Sequence, residues 1–138
     1  MVTLSKLRES VVPIDQYDSR GHGALDGYVV DTSKEQIKNY LDNFRVNLEI
    51  TNELKSKFKK IAIIKNINVE EKHRGEGIGN KLLSYAIDDA YDNGAEAIIL
   101  IADKEEENQL DLIRWYENYG FEKLTNTISG PLMILDEQ

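Results

Sequence analysis

Ile67-Asn-Val-Glu-Glu-Lys-His-Arg-Gly-Glu-Gly-Ile-Gly79, followed without a break by Asn80-Lys-Leu-Leu-Ser-Tyr-Ala-Ile-Asp-Asp-Ala90, is the stretch that decides the fold. Its spacing predicts a strand, a glycine-rich turn and a helix start. That order aims backbone N–H groups at an anion. The first turn of a helix leaves four N–H groups without intrahelical partners, and the aligned peptide dipoles place roughly half a positive charge there. Gly75, Gly77 and Gly79 allow positive φ and remove side chains that would hold a ligand off the backbone. Arg74 adds a fixed cation at the lip. Two nucleotide templates fail at the same residue. Counted from Gly75, both G-x-x-x-x-G-K-[ST] and G-x-G-x-x-G need a glycine where Asn80 stands. The phosphate is therefore expected from something other than ATP or NAD.

Working outward, the 138 residues are 41% hydrophobic and 30% charged, the makeup of one globular domain over residues 1–138. The chain has no cysteine, which excludes a disulfide framework, a thiolate metal site and a cysteine nucleophile; no metal is expected. The first ten residues lack the apolar core of a signal peptide, and no segment has the apolar length of a membrane span. A cytoplasmic protein with no membrane partner is the expectation.

The net charge of −8 is unevenly spread. Residues 1–60 hold 10 Lys and Arg against 9 Asp and Glu, and residues 61–138 hold 7 against 16. Within the acidic half, Lys65, Lys72, Arg74 and Lys81, with His73, flank the glycine turn. A local basic rim on an acidic surface suits a small anionic ligand better than a nucleic acid. Broad acidity elsewhere favours a cationic second substrate or a basic partner. A basic helical stretch carrying Lys34, Lys38, Arg45, Lys55, Lys57, Lys59 and Lys60 is what speaks for a nucleic-acid partner, such as a charged transfer RNA, against the acidity of the C-terminal half.

Thr32 and Glu35 read as a capping box, and the apolar stripe from Ile37 through Tyr40, Leu41, Phe44, Leu48 and Leu54 to Phe58 reads as helix, divided at Thr51-Asn52. Before it come a loop, Ser19 to Gly23, and a strand, Leu25 to Asp31; residues 1–14 could add another strand. Ile61 to Val69 is a strand. Ile78, Leu82, Leu83, Ala86, Ile87 and Ala90 form the core face of a helix that stops at Asn93-Gly94. Ala95 to Ala102 is apolar enough for a central parallel strand, which completes a right-handed βαβ unit. A solvated loop, Asp103 to Asn108, leads to a second helix, Leu110 to Tyr119, ended by Gly120. Phe121 opens a short strand, and Gly130-Pro131 marks a turn before a last strand, Leu132 to Leu135.

Arg74-Gly-Glu-Gly-Ile-Gly79 matches the [QR]-x-x-G-x-[GA] signature of the GNAT superfamily of N-acetyltransferases, and Ile67-Asn-Val69 resembles that family's acetyl-CoA strand. Downstream, Trp115-Tyr116-Glu-Asn-Tyr-Gly120-Phe121 resembles its second signature. The resemblance covers residues 61–123. It implies an α/β (α+β) fold, a mixed central sheet flanked by helices, with an abbreviated or rearranged N-terminal region. It also implies acetyl-CoA as co-substrate, its pyrophosphate on the N–H groups of Arg74, Gly75, Glu76, Gly77, Ile78 and Gly79, with Asn80 at the end. Ile67, Asn68 and Val69 would pair with the pantetheine arm, and a backbone N–H near Val69 would polarise the acetyl carbonyl; losing such a donor elsewhere costs about 10²- to 10³-fold in rate.

The same resemblance makes Tyr116 the general acid for the departing thiolate, since a tyrosine with pKa about 10 is protonated at neutral pH. The acceptor, a small-molecule or peptide amine, needs a base, and Asp26, Asp31, Glu70 and Glu71 are all open. His22 reads as a solvated loop residue and His73 as part of the phosphate rim. Three positions depart from the family pattern. Glu71 stands for proline, Leu112 for alanine, and Gln109 for a cofactor-binding asparagine, with Asn108 one residue away as the substitute contact. The family places two or three antiparallel strands between its first helices and the acetyl-CoA strand; here they are missing or moved to the N-terminus. The expected activity is direct acetyl transfer in a ternary complex. The alternative is a non-catalytic module that binds or senses acetyl-CoA. A homodimer is an open possibility.

Overall fold

The computed structural model describes residues 11–103 and 109–136. Its central sheet follows from the apolar runs at 61–69 and 95–102. β4 (Lys60–Val69) and β5 (Ala97–Ile101) are parallel neighbours, with Ile61 to Ile64 opposite Ala97 to Leu100. Because side chains alternate across a strand, such runs supply two cores at once. Ala62, Ile64, Ile98 and Leu100 face the cluster that holds Leu82, Leu83, Ala86 and Ile113, whereas Ile61, Ile63, Ala97 and Ile99 face Ile37, Leu41 and Leu54. Helices α1 (Glu35–Asn43) and α2 (Leu48–Lys57) thus cover one face, and α3 (Ile78–Asp92) and α4 (Gln109–Asn118) the other.

The remaining strands complete a seven-stranded mixed sheet. β1 (Val11–Pro13) and β2 (Gln16–Tyr17) both pair antiparallel with β3 (Gly23–Asp31), and β3 pairs antiparallel with β4. On the other side β7 (Gly130–Asp136) lies between β5 and β6 (Glu122–Thr127), so the order is β1-β3-β4-β5-β7-β6. The antiparallel partner of β4 precedes the helices in sequence. Of the two arrangements left open by the sequence, this is the one with the strands moved to the N-terminus.

Two local expectations are corrected. Thr32 does not cap a helix: it is 4% exposed, and its hydroxyl donates to the Phe58 carbonyl at 2.6 Å, tying the end of β3 to the entry of β4. The residue before α1 is Lys34, which gives no side-chain cap. The division between α1 and α2 falls at Phe44–Asn47, not at Thr51-Asn52. There Arg45 takes φ 58°, Arg45 N–H donates to Asp42 and Val46 N–H to Leu41, a Schellman ending built without glycine. Asn47 then caps α2 by accepting from Glu49 N–H at 2.7 Å.

Two more corrections concern glycines. The β6–β7 turn is Ile128-Ser129, held by the Thr127 hydroxyl, which donates to Gly130 O at 2.7 Å and accepts from Ser129 N–H at 3.1 Å. Gly130-Pro131 already belongs to β7, opposite Thr127 and Asn126. Gly79 is not at positive φ but sits inside α3; Gly75 and Gly77 have φ 87° and 82°.

Candidate cofactor cleft and active site

β4 has different neighbours along its length. It leaves β5 at the Ile64–Leu100 pair but stays with β3 as far as the Gly23–Val69 pair. The departure coincides with a bulge: Gly27 faces Ile64 and Asp26 faces Asn66, so Lys65 is one residue too many. Bulges bend and twist the strand that carries them. This one requires Gly27, where a Cβ would lie 2.7 Å from the Ile63 carbonyl oxygen. Beyond the bulge, Glu70 N–H donates to His22 O at 2.8 Å. Antiparallel pairing alternates, so Asn66 and Asn68 also turn their N–H groups toward β3, while Ile67 and Val69 turn theirs to the edge that β5 has left.

That edge leads into the glycine turn. A single 3₁₀ turn, Glu71–His73, precedes Arg74, whose Nε donates to the Val69 carbonyl at 3.2 Å. At Gly75 and Gly77 no heavy atom lies within 4 Å of where a Cβ would be, so the backbone there is bare. The first intrahelical bond of α3 runs from Lys81 N–H to Gly77 O, which leaves the N–H groups of Ile78, Gly79 and Asn80 ahead of the ladder.

The turn is pinned from behind. His73 Nδ1 meets Glu76 at 2.9 Å, and the His73 ring stacks on His22 with centroids 3.5 Å apart and planes within 6°. His22, read as a solvated loop residue, has a buried Nδ1 and helps anchor the glycine turn to the start of β3. Ligating atoms of His22, Glu70 and His73 come within 4.8 Å of one another. Face-to-face rings run their in-plane lone pairs side by side instead of toward one point, so the trio in this arrangement clamps the turn and does not converge on an ion.

Between the open edge of β4, the glycine turn and α4 lies a cleft of about 730 Å³. Ile67, Asn68, Val69, Arg74, Gly75, Gly77, Ile78, Gly79, Asn80 and Tyr116, all singled out from sequence, line it. Glu76 does not; its side chain turns to His73. Asn108 lies outside the described residues. Leu112 lines the cleft where the family pattern has alanine.

Tyr116 is 6% exposed and packs edge-on against Phe121, with centroids 5.8 Å apart. Gly120, at φ 102°, turns the chain so that Phe121 N–H can return to Tyr116 O. Across the sheet, burial first, and then the Tyr28 and Tyr116 hydroxyls, push the Tyr40 hydroxyl well above its ordinary value. Tyr28 is likewise raised by burial. From the sequence, Tyr40 was legible only as part of an apolar stripe.

The proposed bases separate. Asp31 sits at the far end of β3, where Ser33 N–H and hydroxyl hold its carboxyl below the usual range. Glu70 and Glu71 precede the glycine turn. Asp26 alone of the four stands beside the bulge, exposed and opposite Asn66. Among the described residues, the carboxylates that line the cleft itself are Asp103 and Asp111.

This geometry agrees with the comparisons. The family model for the acetyltransferase (GNAT) domain matches residues 28–123, and the chain belongs to that family. No curated protein matches the sequence. Among solved structures, PH1933 from Pyrococcus horikoshii is 25% identical, with a TM-score of 0.52 over 58% of this chain and 48% of its own. A chain of the NatC complex bound to Gag peptide and CoA is 20% identical, with a TM-score of 0.57 over 87% and 64%. The polyamine N-acetyltransferase of Drosophila melanogaster is 10% identical, with a TM-score of 0.60 over 90% and 75%. The chain thus spans about half the length of the first and under two thirds of the second. No helix among the described residues is long and apolar enough to cross a membrane.

Proposed function

We propose that the protein transfers an acetyl group from acetyl-CoA to a primary amine in a direct ternary complex. The observation that carries this reading is the open edge of β4 beyond Ile64, which leads through one 3₁₀ turn and the glycine turn to a helix start that offers bare N–H groups. The pantetheine arm takes the place of β5 along that edge. Its pyrophosphate rests on the backbone from Arg74 to Asn80. Ile67 N–H, farther from the turn than Val69 N–H, polarises the thioester carbonyl, and Val69 N–H pairs with the arm. Asn68, whose N–H turns to β3, contributes shape only.

In the reaction the neutral amine nitrogen attacks the acetyl carbon, the C–N bond forms and the C–S bond breaks. The nitrogen's surplus proton passes to a base directly or through water; Asp26, beside the bulge, and Asp103 and Asp111, which line the cleft, are the carboxylates that could take it. The thiolate takes its proton from the Tyr116 hydroxyl, and Tyr116 is reprotonated from solvent. The relatives whose names mention a peptide or a polyamine support an amine acceptor of one of those kinds.

Calorimetric titration with acetyl-CoA, followed by thiol release with polyamines, amino acids, aminoglycosides and peptide N-termini, tests the reading. Saturable binding with release that depends on one amine class is expected. Binding with no release from any amine makes the protein an acetyl-CoA-binding module, and no binding removes the cofactor assignment.

A further inference from the structure

Asn80 is held in one orientation by α4. Trp115 Nε1–H donates to Asn80 Oδ1 at 2.7 Å, and the Tyr119 hydroxyl donates to the same oxygen at 2.8 Å. An indole N–H can only donate, so the amide atom it meets must be the oxygen. The Asn80 NH₂ group is thereby fixed on the other branch of the amide. Among the described residues no protein acceptor meets it, although Asn80 lines the cleft beside Gly77 and Gly79. The same indole lies 3.6 Å from where a Cβ on Gly79 would stand, so the tether is packed as well as hydrogen-bonded.

We propose that the Asn80 side-chain amide is a phosphate-binding donor for the cofactor and that Trp115 and Tyr119 are its positioning residues. This rests on the acetyl-CoA reading above. A free asparagine at a helix start can present oxygen or nitrogen to the cleft. Two donors on Oδ1 remove the choice and leave only N–H groups for a ligand that the helix dipole favours as an anion. The backbone donors of the turn are common to any residue; the amide adds a contact that depends on side-chain identity.

Asn80→Asp gives the sharpest test, because the carboxylate keeps an oxygen for Trp115 and Tyr119 while replacing the donor by a negative charge. Acetyl-CoA affinity should fall at least about tenfold, as for a lost hydrogen bond to a charged group. Binding of S-acetylpantetheine, which has no pyrophosphate, should be unchanged in a shift titration. Trp115→Phe/Tyr119→Phe leaves an aromatic ring at each position and removes both donors; it should lose several-fold in acetyl-CoA affinity, and adding Asn80→Ala to it should cost little more. Should the double variant fail to fold, Tyr119→Phe alone gives the measurement. Wild-type affinity in Asn80→Asp, or an equal loss for S-acetylpantetheine, overturns the donor role, and an unaffected phenylalanine variant overturns the positioning role. If the wild type binds acetyl-CoA, any of these failures leaves the acetyltransferase reading standing; if it binds neither ligand, that reading fails instead.

Discussion

Trp115 and Tyr116 are successive residues of α4 that serve different parts of one cleft. Trp115 hydrogen-bonds to Asn80 at the head of α3, while Tyr116 is buried against Phe121 and within electrostatic reach of Tyr40 on the opposite face of the sheet. A shift of α4 would therefore disturb the glycine turn and the Tyr116 end of the cleft together.

Tyr116→Phe removes the hydroxyl and keeps the ring that packs on Phe121. Turnover at neutral pH should fall by about 10²-fold, the scale of general acid catalysis, with acetyl-CoA affinity unchanged. Steady-state rates and a binding titration check both halves; wild-type turnover would remove the acid role.

Gly77 is surrounded by open space, so a substitution there acts through φ, which is 82°. A β-branched residue in the left-handed region carries about 1–2 kcal/mol of strain. Gly77→Val should reshape the turn and abolish measurable acetyl-CoA binding, whereas Gly77→Asn, which tolerates that region, should retain weak binding. Equal affinities for the two variants would show that backbone conformation is not what the turn depends on.

Gly27 presents the opposite case, a residue with no room. A Cβ there meets the Ile63 carbonyl oxygen at 2.7 Å and Ile14 at 3.1 Å. Gly27→Ala should destabilise by about 1–3 kcal/mol, as overpacking does, seen as a lower urea midpoint with an unchanged slope. An unshifted midpoint would mean that the bulge tolerates the extra atom.

The Tyr40 hydroxyl, raised above its ordinary value of 10.0, binds its proton more tightly in the folded chain than in the unfolded one. Its contribution is complete below pH about 10 and is lost as the pH rises from there toward the folded value. Tyr40→Phe should move the alkaline unfolding midpoint to higher pH and leave the acid limb in place. An unchanged alkaline limb would place the hydroxyl in contact with solvent.

The strand, glycine turn and helix start that border the cleft were legible because their signals are local. Three glycines, an arginine and an apolar helix face within residues 67–90 state a strand, a turn and a helix start, and Tyr116 with Gly120-Phe121 repeats the message on the next helix. What escaped notice depends on residues distant in sequence. The bulge at Lys65 is set by Gly27, the His22–His73 stack joins two loops, and the Asn80 tether joins two helices. Local rules also misled where tertiary demand prevailed. Thr32 had the spacing of a cap but its hydroxyl was needed to join β3 to β4, and α1 ends on an arginine in a conformation that sequence rules reserve for glycine.

The turn between β6 and β7 touches the α1–α2 loop through one long bond, Ile128 N–H to Phe44 O at 3.5 Å. That contact joins chain segments far apart in sequence, so its loop-closure cost falls late in folding, after the βαβ unit has formed from near neighbours. Its amide should also be among the first to exchange with solvent in the native protein.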